Sequence, residues 1–142
     1  MNIGITNDHR GLEVKQFLTE YLNELGYNVI DYGADSEEPA DFPDYAKKMG
    51  LGIKENESEL GIAICGTGIG ISITANKMKG IRCALCSDCF SAEATRLHND
   101  TNIVALGGRV VGPELAIKIV DTFLHTPFSG DERHARRISM IE

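Results

Sequence analysis

One thiol, two histidines, one aspartate and a few arginines are the residues of this chain best suited to chemistry. Cys65 lies in Leu60–Met78, LGIAICGTGIGISITANKM, directly before Gly66, Thr67, Gly68, Ile69 and Gly70. Glycines let the backbone approach a ligand, and the first N–H groups of a helix point at it with the positive end of the helix dipole. A thiol beside such a turn is a base or nucleophile next to an anion cradle. Asp8 and His9 form a second pair, His98 and Asn99 a third, and Arg109 follows Gly107-Gly108. Arg133, His134, Arg136 and Arg137 are the densest basic cluster. Together these are an acid, a thiol, imidazoles and cations around an anion cradle.

The glycine loop excludes three common readings. Its GxGxxS lacks the third glycine of the dinucleotide fingerprint and the Lys-Ser/Thr ending of a nucleotide P-loop. A Cys-x5-Arg phosphatase cradle is absent because Ile71 stands where the arginine would be. Backbone-only anion binding beside a thiol remains. Each residue also has a plain structural reading: Asp8 caps a helix, His98 pairs with a helix dipole, Arg133 and Arg137 share a solvated face, and Asn99–Asn102 make a polar turn. Gathered on one edge of one sheet, they read as a site.

The elements that must position them alternate. Asn2–Thr6 reads as a strand, and Asp8 as the cap of a helix carrying Val14, Phe17, Leu18, Tyr21, Leu22 and Leu25, stopped by Gly26. Tyr27–Tyr32 is a strand, Ala34–Asp44 an acidic loop, and 45–55 a helix. Leu60–Cys65 is a wholly apolar run, the pattern of a strand buried on both faces, and a helix follows through Met78. Ile81–Cys86 is a fourth strand, with Ser87 or Asp88 capping a helix to Leu97. A polar break at 98–102 precedes a fifth strand, Ile103–Leu106. Pro113 opens a helix through Leu124, and 133–141 is a terminal helix. Five β-then-α units predict a three-layer α/β/α Rossmann-like fold with a five-stranded parallel sheet.

Composition narrows the function. The 142 residues are 42% hydrophobic and 25% charged, as in a single ordinary globular domain. A net charge of −7 argues against nucleic acid, so charge for binding an anion must be local. No leader sequence or membrane-length apolar run is expected, and the four cysteines read as reduced thiols of a cytoplasmic protein. Cys83, Cys86 and Cys89 have metal-like spacing, but Cys83 falls in a strand and no histidine is near in sequence; no metal site is expected.

NDHRGLEVK, ICGTGIGISITANK, RLHNDTNIVALGGRVVG and RHARR, in that order over nearly the whole chain, resemble the ribose-5-phosphate isomerase B family. That family also holds galactose-6-phosphate isomerase subunits and an allose-6-phosphate isomerase. The resemblance implies an aldose–ketose isomerase acting on a phosphorylated sugar with no metal or cofactor. It implies a homodimer, or a dimer of dimers, whose sites draw on both chains, with the terminal helix, about 133–141, packed on a partner. Cys65 falls on the catalytic base; Thr67 adds a hydroxyl near the moving proton. Gly66, Gly68, Ile69 and Gly70, with Thr67, fall on the loop holding the enediolate oxygens. His98 falls on the ring-opening acid/base, and Asp8 on the acid that contacts the sugar hydroxyls. His9, Arg109, Arg133 and Arg137 fall on the phosphate-binding set, and Asn99 on a hydroxyl-contacting position.

Three departures from the family pattern bear on sugar length and affinity. Phe42 stands where Asp-Tyr-Pro is common, Arg10 replaces a small residue after Asp-His, and the segment Ser129–Arg133 is one residue longer than the family's usual Gly-Gly-Arg-His approach. Cys65 with the HNDTN motif argues against the galactose-type subunits and leaves allose 6-phosphate as the alternative sugar. Outside the class, a non-catalytic sugar-phosphate binding protein and a thiol-dependent phosphatase or hydrolase are the competing readings.

Overall fold

The computed structural model describes residues 1–141, which build one parallel sheet between two layers of helices. The strands are β1 (Asn2–Asn7), β2 (Asn28–Asp31), β3 (Leu60–Cys65), β4 (Cys83–Leu85) and β5 (Ile103–Gly107), in spatial order β2-β1-β3-β5-β4. The helices are α1 (Leu12–Glu24), α2 (Phe42–Lys54), α3 (Ile69–Asn76), α4 (Cys89–Asn99), α5 (Pro113–His125) and α6 (Glu132–Ser139). The α/β/α fold and its five parallel strands match the reading of the sequence.

Every residue of β3 is buried, because the central strand of a parallel sheet has helices over both faces. The two-residue period of a strand divides its side chains. Leu60, Ile62 and Ile64 face a large-residue core with Ile3, Ile5, Leu18, Leu22, Ile119 and Phe123. Ala63 and Cys65 face the other core, with Met49, Ile71, Ala75 and Ala105. Burial of each large aliphatic side chain contributes about 1.5–3 kcal/mol. The second core is thinner because α2 lies close to the sheet. A Cβ on Gly4 or Gly61 would sit 2.7 or 2.9 Å from Met49 Sδ.

The chain leaves β1 toward β2 on one side and returns to β3 on the other. The carboxyl ends of β1 and β3 therefore flank a topological switch point, where open α/β sheets bind ligands. Local boundaries differ from the sequence reading for identifiable reasons. Asp8 caps a short 3-10 turn, His9–Gly11, rather than α1 itself. The second helix starts at Phe42, with Pro43 in its first turn. The fourth strand starts only at Cys83: the Arg82 N–H before it donates to a side chain, Asn102 Oδ1, and the Cys83 N–H is held by Asn76 Oδ1. Helix α4 continues through His98 and Asn99 until Asp100 adopts φ 44°. Among the described residues no helix is long and apolar enough to cross a membrane.

Candidate active site

At the carboxyl end of β1, Asp8 is 5% exposed, held by its N–H donating to the Ile64 carbonyl at 3.1 Å. Its Oδ1 accepts the Arg10 N–H at 2.9 Å and sets the 3-10 turn. The turn packs on β3 so tightly that a Cβ on Gly11 would lie 2.7 Å from the Ile64 carbonyl oxygen. The loop after β2 closes over it. Asn7 Nδ2 donates to the carbonyls of Asp8 and Ala34, and the buried Lys15 Nζ bridges Asp31 and the Ala34 carbonyl. The Ala40 N–H donates to His9 Nδ1 at 3.1 Å, which leaves Nε2 to face a ligand.

At the end of β3 the Cys65 thiol is 4% exposed and accepts the Gly68 N–H at 3.2 Å. Gly68 has φ 79°, a left-handed conformation that glycine adopts freely. The Ile69 N–H donates to Thr67 Oγ1. The Gly66, Thr67, Gly70 and Ile71 N–H groups have no acceptor among the described residues, so the turn keeps several donors free beside the thiol. Phe42 lies against this turn, its ring 2.7 Å from where a Cβ on Gly70 would be. The position that departs from the family pattern is thus at the site.

At the end of β5, the Gly108 and Arg109 N–H groups donate to the carbonyls of Cys65 and Gly66. Arg109 and Arg10 flank Gly66 from two sides. His9, Arg10 and Arg109 line one cleft of about 420 Å³. Asp8, His9, Cys65, the glycine turn and Arg109 are therefore brought to one edge.

His98 and Asn99 are not on that edge, which corrects the sequence reading. Helix α4 starts above the carboxyl end of β4 and runs back for 11 residues, about 16 Å. Its last turn meets the amino end of the sheet, where Arg82 Nε donates to the Asn99 carbonyl. The polar run at 98–102 precedes β5, and a segment that feeds a parallel strand lies at that strand's start. Helix α6 packs beside α4 there: the rings of His98 and His134 are 4.6 Å apart, and the Ser129 N–H donates to the Leu97 carbonyl. Arg133 Nε lies 3.4 Å from Asp131, and Arg137 is exposed. Within one chain the candidates form two groups at opposite ends of the sheet.

The remaining thiols differ from Cys65. Burial, then the neighbouring Cys86, pushes the Cys83 thiol up, and burial followed by Asp88 pushes Cys86 up to about 11. Both stay protonated near neutral pH, the form that does not ligate metals. His134 and Arg10, both outside the residue-by-residue assignment, emerge from the structure as neighbours of His98 and Arg109 respectively.

A switch-point crevice with a nearly buried thiol, free backbone donors, a carboxylate and arginines is the working edge of an α/β enzyme that handles a small anion. Residues 3–141 match the family described as Ribose/Galactose Isomerase, and the chain belongs to that family. It is a sugar-phosphate isomerase. It is 48% identical over 134 residues to ribose-5-phosphate isomerase B of Escherichia coli, covering 94% of this chain and 89% of that one. It is 43% identical over 136 residues to ribose-5-P isomerase B of Listeria innocua, covering 96% and 92%. The fold superimposes on ribose-5-phosphate isomerase B of Clostridium thermocellum with a TM-score of 0.97, at 49% identity, covering 99% and 95% of the two chains. Against the type B enzyme of Trypanosoma brucei the TM-score is 0.95, at 42% identity, covering 99% and 95%.

Proposed function

We propose that the enzyme interconverts ribose 5-phosphate and ribulose 5-phosphate in the cytoplasm, with Cys65 as the base and no metal or cofactor. The observation that carries this reading is the placement of the Cys65 thiol at the glycine turn, beside the free Thr67 and Gly70 N–H groups. In the open-chain aldose, Cys65 takes the proton from carbon 2, and the electron pair moves through carbon 1 onto the aldehyde oxygen. The resulting enediolate is held by the turn's N–H groups, which are already aimed and need no reorganisation. Cys65 returns the proton to carbon 1, and Asp8, assisted by the Thr67 hydroxyl, moves the hydroxyl proton from oxygen 2 to oxygen 1. The aldose becomes the ketose, and every proton and electron pair is accounted for.

Ring opening is assigned to His98, with Asn99 on a sugar hydroxyl and Arg133 and Arg137 on the phosphate beside His9 and Arg109. Because these groups lie at the far end of the sheet in one chain, they serve a site on a second copy. A homodimer, or a dimer of dimers, with shared sites follows. Two features support it. Ile69, Ile73, Leu85, Phe90 and Val110 are between 43% and 79% exposed around the carboxyl edge. Helix α6 has no buried residue in the single chain, so packing on a partner gives it a surface to rest on. The alternative substrate is allose 6-phosphate, favoured by Phe42, which removes a hydroxyl from the wall beside the glycine turn.

The test is incubation with ribose 5-phosphate in deuterated water without metal, followed by NMR. Appearance of ribulose 5-phosphate with solvent deuterium in the sugar is the expected result. Conversion of allose 6-phosphate alone selects the alternative sugar, and conversion of neither overturns both substrate assignments.

A further inference from the structure

We propose that Arg10 is a phosphate-binding residue that, with Arg109, forms a two-guanidinium clamp over Gly66. The inference rests on the sugar-phosphate reading of this cleft and adds to it a residue the family pattern does not supply.

The backbone of Arg10 is fixed at both its N–H and its carbonyl. Its N–H is capped by Asp8 Oδ1 at 2.9 Å, and its carbonyl oxygen lies 2.6 Å from where a Cβ on Gly108 would be. Its Cβ and Cγ stand 3.7 Å from the Cβ position of Gly66, and Arg109 Cδ stands 3.4 Å from the same point. Gly108 thus leaves room for the Arg10 backbone, and the two arginines meet at Gly66 from the segments that follow β1 and β5.

Arginines that hold this fold together have partners. Arg96 Nη1 pairs with Asp100 at 3.0 Å, and Arg82 Nη2 lies 3.6 Å from the same carboxylate. The Arg10 and Arg109 guanidiniums have no acceptor among the described residues, although Glu13 and Glu37 line the same cleft. Two guanidiniums without carboxylate partners, beside the Nε2 of His9, match the charge and the bidentate geometry of a phosphate monoester dianion.

The experiment measures inorganic phosphate binding by calorimetry and ribose 5-phosphate kinetics, in the wild type and in Arg10→Ala and Arg10→Lys. Arg10→Ala is expected to weaken phosphate binding and raise KM by roughly tenfold or more, with kcat changed far less. Arg10→Lys should recover part of both losses, since it returns the charge without the fork. Thermal unfolding of each variant separates this from misfolding. An active wild type whose phosphate affinity and KM are untouched by Arg10→Ala would mean that Arg10 serves Glu13 or Glu37, and the clamp is overturned. A wild type that isomerises no sugar phosphate, yet loses phosphate affinity on Arg10→Ala, keeps the clamp and overturns the isomerase reading. No phosphate binding and no turnover in the wild type would overturn both.

Discussion

The Gly68 N–H donates to Cys65 Sγ at 3.2 Å, so the first residue of the turn's left-handed corner touches the thiol three positions before it. The bond orients the sulfur and places a dipole that stabilises negative charge on it. Sequence proximity alone does not ensure this, because the intervening Gly66 and Thr67 must fold back.

Removing the thiol separates binding from chemistry. Cys65→Ala should lower kcat by about 10²–10⁴, the range of a lost general base, while KM and phosphate affinity stay near wild type. Steady-state kinetics with ribose 5-phosphate check this. Unchanged turnover would sink the assignment of the base.

Gly68→Ala tests the turn. At φ 79° an alanine is strained, and its Cβ would lie 2.5 Å from Leu85 Cδ1 and 2.8 Å from the Leu106 carbonyl carbon. Left-handed strain alone costs about 1–2 kcal/mol, and the contact with backbone adds to it. Urea unfolding should show the loss of stability and kinetics a lower kcat. A stable, fully active variant would show that the turn can relax.

The split of the candidates between opposite ends of the sheet predicts complementation. Cys65→Ala and His98→Asn chains should each be nearly inactive. Co-refolded in equal amounts, they should recover about a quarter of wild-type activity, from mixed dimers holding one intact site. Recovery of none would place Cys65 and His98 in the same chain's site.

Cys86 gives a pH signature of stability. Its folded-state pKa is raised from 9.0 to about 11 by burial, so an unfolded chain releases this proton first. The contribution is fully present below pH 9 and is lost as pH rises toward 11. Chemical denaturation across that window should show falling stability, and Cys86→Ala should flatten the fall. A parallel pH dependence in the two proteins would rule out this thiol as its source.

Much of this was legible in the sequence because it is local. The apolar run of β3, the glycines after Cys65 and the Asp8 cap each state their structure within a few residues. The placement of His98 was not, because five polar residues before a strand look the same wherever the preceding helix stops, and α4 runs past Leu97 to Asn99. The clasp of Lys15, Asn7 and Ala34 joins residues up to 27 positions apart and leaves no pattern in the chain. Nor does the side-chain pairing of Asn76 with Cys83 at the start of β4.

The close seat of α2 on the sheet makes that helix a lever. Met49 is its fulcrum, lodged where Gly4 and Gly61 leave space, and Phe42 at its tip rests over Gly70 in the substrate crevice. A side chain added at Gly4 would lift the fulcrum and swing the tip, widening or tilting the ceiling above the sugar. The seat of Phe42 over the glycine turn is therefore open to tuning from deep in the core, at the buried Gly4.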